Sequence, residues 1–188
     1  MSGLIRPYQG ITPKIHPDAF IAENAVIIGD VEIGPGSSIW YGCVIRGDVN
    51  KIRIGANTNL QDGTVVHCNH DRSGKSYRET GGGVPCYIGD NVVIGHMALI
   101  HACTLESGCF IGMGAVVMDH AVVQPQAMVA AGALVGPRKV VESGQLWAGT
   151  PARRVRDLKP EELGNFPYLA DSYRKLAESY REEDPARN

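Results

Sequence analysis

The sequence predicts an all-β fold, a parallel β-helix of about six coils with one α-helix packed alongside. Three observations predict it. An aliphatic residue recurs every six positions over most of the chain. A small residue keeps phase with it, four positions later. Glycine is abundant, 23 residues, and aromatics make up only 6%, which suits closely stacked backbone with tight turns.

The hexads begin at Ile15, Ile21, Ile27, Ile33, Ile39 and Ile45. After a short slip come Ile54, Leu60 and Val66, and after a long interruption Ile88, Ile94 and Ile100. One hexad is a residue short, and the series resumes at Leu105, Ile111, Val117, Val123, Val129 and Val135. The small residues in phase are Ala19, Ala25, Ser37, Cys43, Thr58, Thr64, Ala98, Thr104, Cys109, Ala115, Ala121, Ala127 and Ala133. Val31, Val49, Val92 and Lys139 break the pattern. Neither the period of two of an ordinary strand nor the 3.6 of a helix fits. One large and one small inward residue per hexad make one short strand and one corner, and three such sides close a triangular coil. An ordinary β-sandwich of short strands is the alternative, and it gives no reason for two positions to stay in phase. Hexads of this form resemble the left-handed β-helix family, an exception to the right-handed crossover rule.

Residues 1–14 read as a leader, with Pro7 and Pro13, laid across the first coil. The β-helix spans 15–145. Within it the pulse is lost over 69–85, a polar stretch with Gly81, Gly82 and Gly83 that reads as a loop thrown out from a corner. Residues 146–188 hold an extended exit segment, where Pro151 argues against helix. An amphipathic helix from Tyr168 to about Glu183 follows, with Leu169, Tyr173, Leu176 and Tyr180 at helical spacing.

A net charge of -2 gives no reason to expect nucleic acid or an anionic membrane as partner. No apolar run approaches the roughly 18 residues of a membrane span, and the first residues lack the apolar core of a signal peptide. The 5 cysteines form no disulfide framework and read as reduced thiols in a cytoplasmic protein.

The repeat also places the histidines. If the loop is an insertion within the hexad of Val66, then Arg46, His67 and His101 are second residues of hexads on one side in consecutive coils. They stack at one corner and project outward. His96 is the third residue of the preceding hexad, with Asp62 one coil below it, so it lies elsewhere on the surface. His67 and His101 therefore pair, and His96 reaches such a pair only in a neighbouring chain. The expectation is a homotrimer with a three-histidine zinc site at each interface. Three protein ligands with an open fourth position is the catalytic pattern for zinc, and imidazole also suits Fe2+ or Co2+. A lone outward histidine is usually just solvated, which is the reading for His16 and His120. Cys68 and Cys103 flank the pair and read as packing residues, and Arg153, Arg154 and Arg156 as a solvated or interface run.

The hexads, Arg46–Asp48, Asn59–Gly63, His67, Ile94–His96, His101–Thr104 and Ile111–Ala115 together resemble the gamma-class carbonic anhydrases and their bacterial relatives. The resemblance covers most of the chain. It implies reversible hydration of carbon dioxide to bicarbonate by hydroxide on a metal held across a trimer interface, with His67 and His101 from one chain and His96 from the next. It implies that Gln61 hydrogen-bonds that hydroxide, that Asn59 orients Gln61, and that Arg46 and Asp62 hold the interface and engage bicarbonate. Tyr168 matches an active-site tyrosine. The best-studied type of the family exports protons through glutamates where this chain has Val49 and His70, which makes His70 the candidate shuttle. Two other readings use the same trimer: a hexapeptide acyltransferase or coenzyme-A thioesterase, and a metal-binding trimer without catalysis.

Overall fold

A computed structural model describes residues 3–183. The chain winds as a three-sided prism of parallel rungs, seven to a side. The first side is built from Leu4–Arg6, the leading halves of Val26–Ile33 and Val44–Ile54, Val65–His67, Leu99–His101, Val116–Val117 and Leu134–Val135. The second runs from Lys14–Ile15 through the trailing halves of the two long strands to Val140–Val141. The third runs from Phe20–Ile21 to Gln145–Ala148. Strand Arg153–Asp157 then pairs antiparallel with Gln145–Ala148 and closes the third side.

The aliphatic starts stack in columns. On the first side Ile27, Ile45, Val66, Ile100, Val117 and Val135 lie in register and are all fully buried. Each such side chain contributes about 1.5–3 kcal/mol by leaving water. The in-phase small residues turn the corners inward, and Ala25, Cys43, Thr64 and Ala115 are likewise fully buried. Where a hexad is short, Cys103 takes the inward place and Thr104 faces outward, which corrects the assignment of Thr104. All five cysteines are buried and unpaired, as packing residues should be.

The corners need left-handed backbone. Where the third side meets the first, successive coils place Gly42, Gly63, Met97, Gly114 and Gly132, all at positive φ. Only Met97 there carries a side chain, at φ 61.

Within the expected leader, 1–14, the described residues begin at Gly3, and part of them is built into the prism. Leu4–Arg6 pairs in parallel with Val26–Ile28 and is a rung of the prism. The inserted loop does leave from a corner. Its root is pinned by paired backbone bonds between Asn69 and Val84, and it carries helix α1 (Tyr77–Thr80), capped by Ser76. The Tyr77 hydroxyl donates to Asp30, tying the loop to the wall.

Helix α2 (Pro160–Glu182) starts earlier than the periodicity of its tyrosines suggests. Pro160 sits in its first turn, and Glu162 accepts from the Lys159 amide while forming a bidentate pair with Arg156. It lies on the third side. Phe166 stacks on Phe110 at 5.3 Å, and Tyr173 and Tyr180 meet Trp40 edge-on at 5.6 and 5.4 Å. The buried stripe is Phe166, Ala170 and Ala177, so Leu176 faces outward.

Candidate functional site

The chemistry-bearing residues fall into two clusters, one at each edge of the first side. The cluster at its trailing edge follows from register: Arg46, His67 and His101 align in consecutive coils. His67 Nδ1 faces His101 Nε2 at 3.3 Å. The other nitrogen of each ring is engaged. His67 Nε2 lies 3.1 Å from Asp48 Oδ1, and His101 Nδ1 lies 2.7 Å from Asp119 Oδ1. A carboxylate only accepts, so those two nitrogens carry the protons, and the two facing nitrogens are left with lone pairs. Two lone pairs cannot satisfy each other.

The carboxylates are themselves held. Arg46 donates to Asp48 Oδ2 at 2.5 Å, and Asn69 Nδ2 donates to Asp119 Oδ2 at 2.7 Å. Burial works against both charged carboxylates, yet the bonds from Arg46 and His67 hold Asp48 below the ordinary aspartate range. Those from His101 and Asn69 do the same for Asp119. Burial pushes the His67 imidazolium down, with the nearby Arg46 charge adding to it against the pull of Asp48. His67 is thereby favoured in the neutral form, the form that donates a lone pair.

The second cluster sits where the first side begins. His96 Nδ1 lies 2.9 Å from Asp62 Oδ2. Gln61, one residue before Asp62, donates from Nε2 to Asn59 Oδ1 at 3.2 Å. Asn59 is buried under α2, and its Nδ2 has no hydrogen-bond partner among the described residues. The side of the prism separates His96 from the His67–His101 pair. Among the described residues no three His, Cys, Asp or Glu side chains converge closely enough to hold a metal ion. His67 and His101 could supply two ligands, and no third lies beside them among the described residues.

Arg46 and Asp62, paired by the resemblance, have separate partners within the chain, Asp48 and His96. His70 is exposed on the loop and lines two clefts beside the first cluster, one of about 740 Å³ shared with Asp48 and Tyr77, the other of about 600 Å³ shared with Asp119 and His120. Tyr168 belongs to neither cluster; it is 68% exposed on α2 beside Glu161 and Asn165. Tyr173 is the α2 tyrosine turned toward the second cluster, where burial and the Asp62 charge raise its pKa. His16 and His120 are exposed, as expected of bystanders.

Asp48, Asp119 and Asn69 were not singled out from the sequence. Asp48 lies inside the noted Arg46–Asp48 run. Asp119 had a signal in the repeat: the coil above His101 has a full hexad over a short one, so it holds an extra corner residue.

A family profile described as bacterial transferase hexapeptide (six repeats) matches residues 12–47. The chain is 47% identical over 92% of its length to gamma carbonic anhydrase 1, mitochondrial, of Arabidopsis thaliana, and spans 60% of that longer protein. It is 45% identical to a probable carbonic anhydrase of Methanocaldococcus jannaschii, covering 85% of this chain and 92% of that one. A solved structure of a hexapeptide transferase family protein from Anaplasma phagocytophilum superposes with a TM-score of 0.85 at 45% identity, covering 94% of this chain and 98% of the other. With most of its length shared at this identity, and with the repeat and the two clusters in place, the chain belongs to the gamma carbonic anhydrase family.

Proposed function

We propose that the protein hydrates carbon dioxide reversibly at metal sites shared between three copies of the chain. The observation that carries this is the pair of lone-pair nitrogens on His67 and His101, 3.3 Å apart with their outer nitrogens anchored. Two imidazoles bound tetrahedrally to one zinc ion at about 2.0–2.1 Å would hold their nitrogens about 3.3–3.4 Å apart. The residues present therefore fit the group, and zinc is the first choice, with Fe2+ or Co2+ as alternatives. A metal held so would lower the pKa of its water to about 7 and supply hydroxide at neutral pH.

The third ligand is His96 of a neighbouring copy. The face between the clusters supports that assembly, because it exposes Val65, Met97, Leu99 and Met113, at 38, 70, 40 and 57%. A threefold packing of that face against its neighbours brings the His96 edge of one chain to the His67–His101 edge of the next. Gln61, with its amide fixed on Asn59, keeps its Oε1 to accept from a hydroxyl group at the shared site. Arg46 spends one donor nitrogen on Asp48 and retains others for the bicarbonate oxygens. His70, between two open clefts, carries the released proton to solvent. The five unpaired thiols suit a reducing compartment, and we infer the cytoplasm.

The test is stopped-flow carbon dioxide hydration on metal-analysed protein beside His101→Ala. Activity should scale with zinc or iron content and disappear in the variant. A metal-loaded trimer with no hydration above background would refute the assignment. Acyl transfer from a coenzyme-A thioester, independent of metal, would then establish the reading that the transferase name of the repeat family suggests.

A further inference from the structure

We propose that Asp119, braced by Asn69 at the root of the inserted loop, is the positioning residue that fixes the His101 ring with its proton on Nδ1 and Nε2 directed at the shared site. The inference rests on the reading of His101 as a metal ligand, and it concerns residues outside that ligand set.

The geometry is specific. Asp119 uses both carboxylate oxygens, Oδ1 toward His101 Nδ1 at 2.7 Å and Oδ2 as acceptor from Asn69 Nδ2, also at 2.7 Å. A carboxylate bound at only one oxygen can swing about its terminal torsion; one bound at both cannot. Asn69 is in turn immobilised. Its backbone exchanges bonds with Val84 at 2.8 and 3.0 Å, and its carbonyl accepts from Asn50 Nδ2 at 3.2 Å. Asn50 also reaches the carbonyl of Gly82, so one side chain ties both strands of the loop root.

The repeat itself makes room for this. The hexad beginning at Ile100 lacks one residue, whereas the coil above it, from Val117, is complete. The surplus residue at the corner is Asp119, which overhangs His101. The amide of His120 bonds to the carbonyl of Ala102, which sets those two left-handed corner residues one above the other and leaves Asp119 as the residue without a counterpart below. A loop inserted after His67 is thus coupled to the ring orientation of a histidine in the next coil, through the path Asn50, Asn69, Asp119 and His101. His67 has its own support in Asp48 and Arg46, so the two rings are oriented independently.

The experiment uses the full chain labelled with nitrogen-15 in histidine, metal-free and above pH 8, where long-range proton–nitrogen correlation spectra distinguish the two neutral tautomers. His101 should be the Nδ1–H tautomer in the wild type and a mixture in Asp119→Ala. In parallel, zinc titration against a chromophoric chelator should show affinity about 10–100-fold weaker in Asp119→Ala, with a smaller loss in Asn69→Ala. If Asp119→Ala does not fold, Asn69→Ala decides, since it leaves the carboxylate in place and removes only its brace. A His101 tautomer unchanged in the folded variant, or zinc affinity unchanged beside a normal wild-type titration, overturns the proposal. If the wild type takes up no zinc, the metal reading fails, while the tautomer spectrum still decides the positioning role.

Discussion

Two variants that are each inactive should restore activity when they share a trimer. His96→Ala removes the proposed ligand at one edge of the first side, and His67→Ala removes one at the other edge, with the side of the prism between them. In the proposed threefold ring every site would take His67 and His101 from one chain and His96 from the next. A mixed ring of either composition then has one junction where an intact His67 edge meets an intact His96 edge. Random assembly of equal amounts gives about three mixed rings in four, each with one of its three sites whole, so about a quarter of wild-type sites returns. The assay is co-expression of the two chains under different affinity tags, tandem purification to remove parental trimers, and measurement of zinc per chain and of hydration rate. After tandem purification the expected occupancy rises to about one site in three. Zinc and activity at background in verified mixed trimers would show that each site is built within one chain, and the two-edge argument would be wrong.

Two further expectations follow from features outside the ligand set. Met97→Gly removes a left-handed backbone strain of about 1 kcal/mol, at a corner where the four equivalent residues are glycine, and it also strips the most exposed apolar side chain from the proposed interface. Sedimentation at decreasing concentration should show earlier dissociation of the variant, although its isolated chain is no less stable; an unchanged dissociation profile would take Met97 out of the interface. Cys43 is pushed by burial to about 11, so at pH 8 it is almost wholly protonated, where an ordinary thiol of pKa about 8.5 is about a quarter ionised. Native protein should resist iodoacetamide at pH 8 until it unfolds. Because the folded pKa is the higher one, this thiol's contribution to stability is intact below about 8.5 and is lost as pH rises toward 11. Fast alkylation of Cys43 in folded protein would contradict its burial.

The histidine corner was legible in the sequence because a coil that repeats in space turns a residue count into a position. Arg46, His67 and His101 could be stacked by arithmetic alone, across an insertion whose ends, Asn69 and Val84, are bonded to each other. The first rung was missed because Ile5 stands ten residues before Ile15, not six, so nothing linked it to the series. Asp119 stands where a full hexad lies over a short one; the spacing of the aliphatic starts carries that difference in length, but which side chain it sets against His101 follows only from the register of the two coils. The facing of the helix tyrosines was not legible, for a different reason. Helical spacing says which residues share a face but not which face meets the prism, and here that is settled by Phe166 on Phe110 and Tyr173 on Trp40. Tyr168 consequently points away.

Parallel coils carry an inherent hazard, since a terminal rung is a template on which an identical chain could continue. At its C-terminal end this protein answers with polarity. Strand Arg153–Asp157 runs against Gln145–Ala148, and three of its five residues are arginine. A newcomer entering there meets a strand of the wrong direction whose polar side chains are already paired within the chain, Arg154 with Asp157 and Arg156 with Glu162, so the third wall does not lengthen by copying itself. The same segment that leads the chain toward α2 thereby acts as a full stop, keeping a shape built for stacking from growing into a fibre.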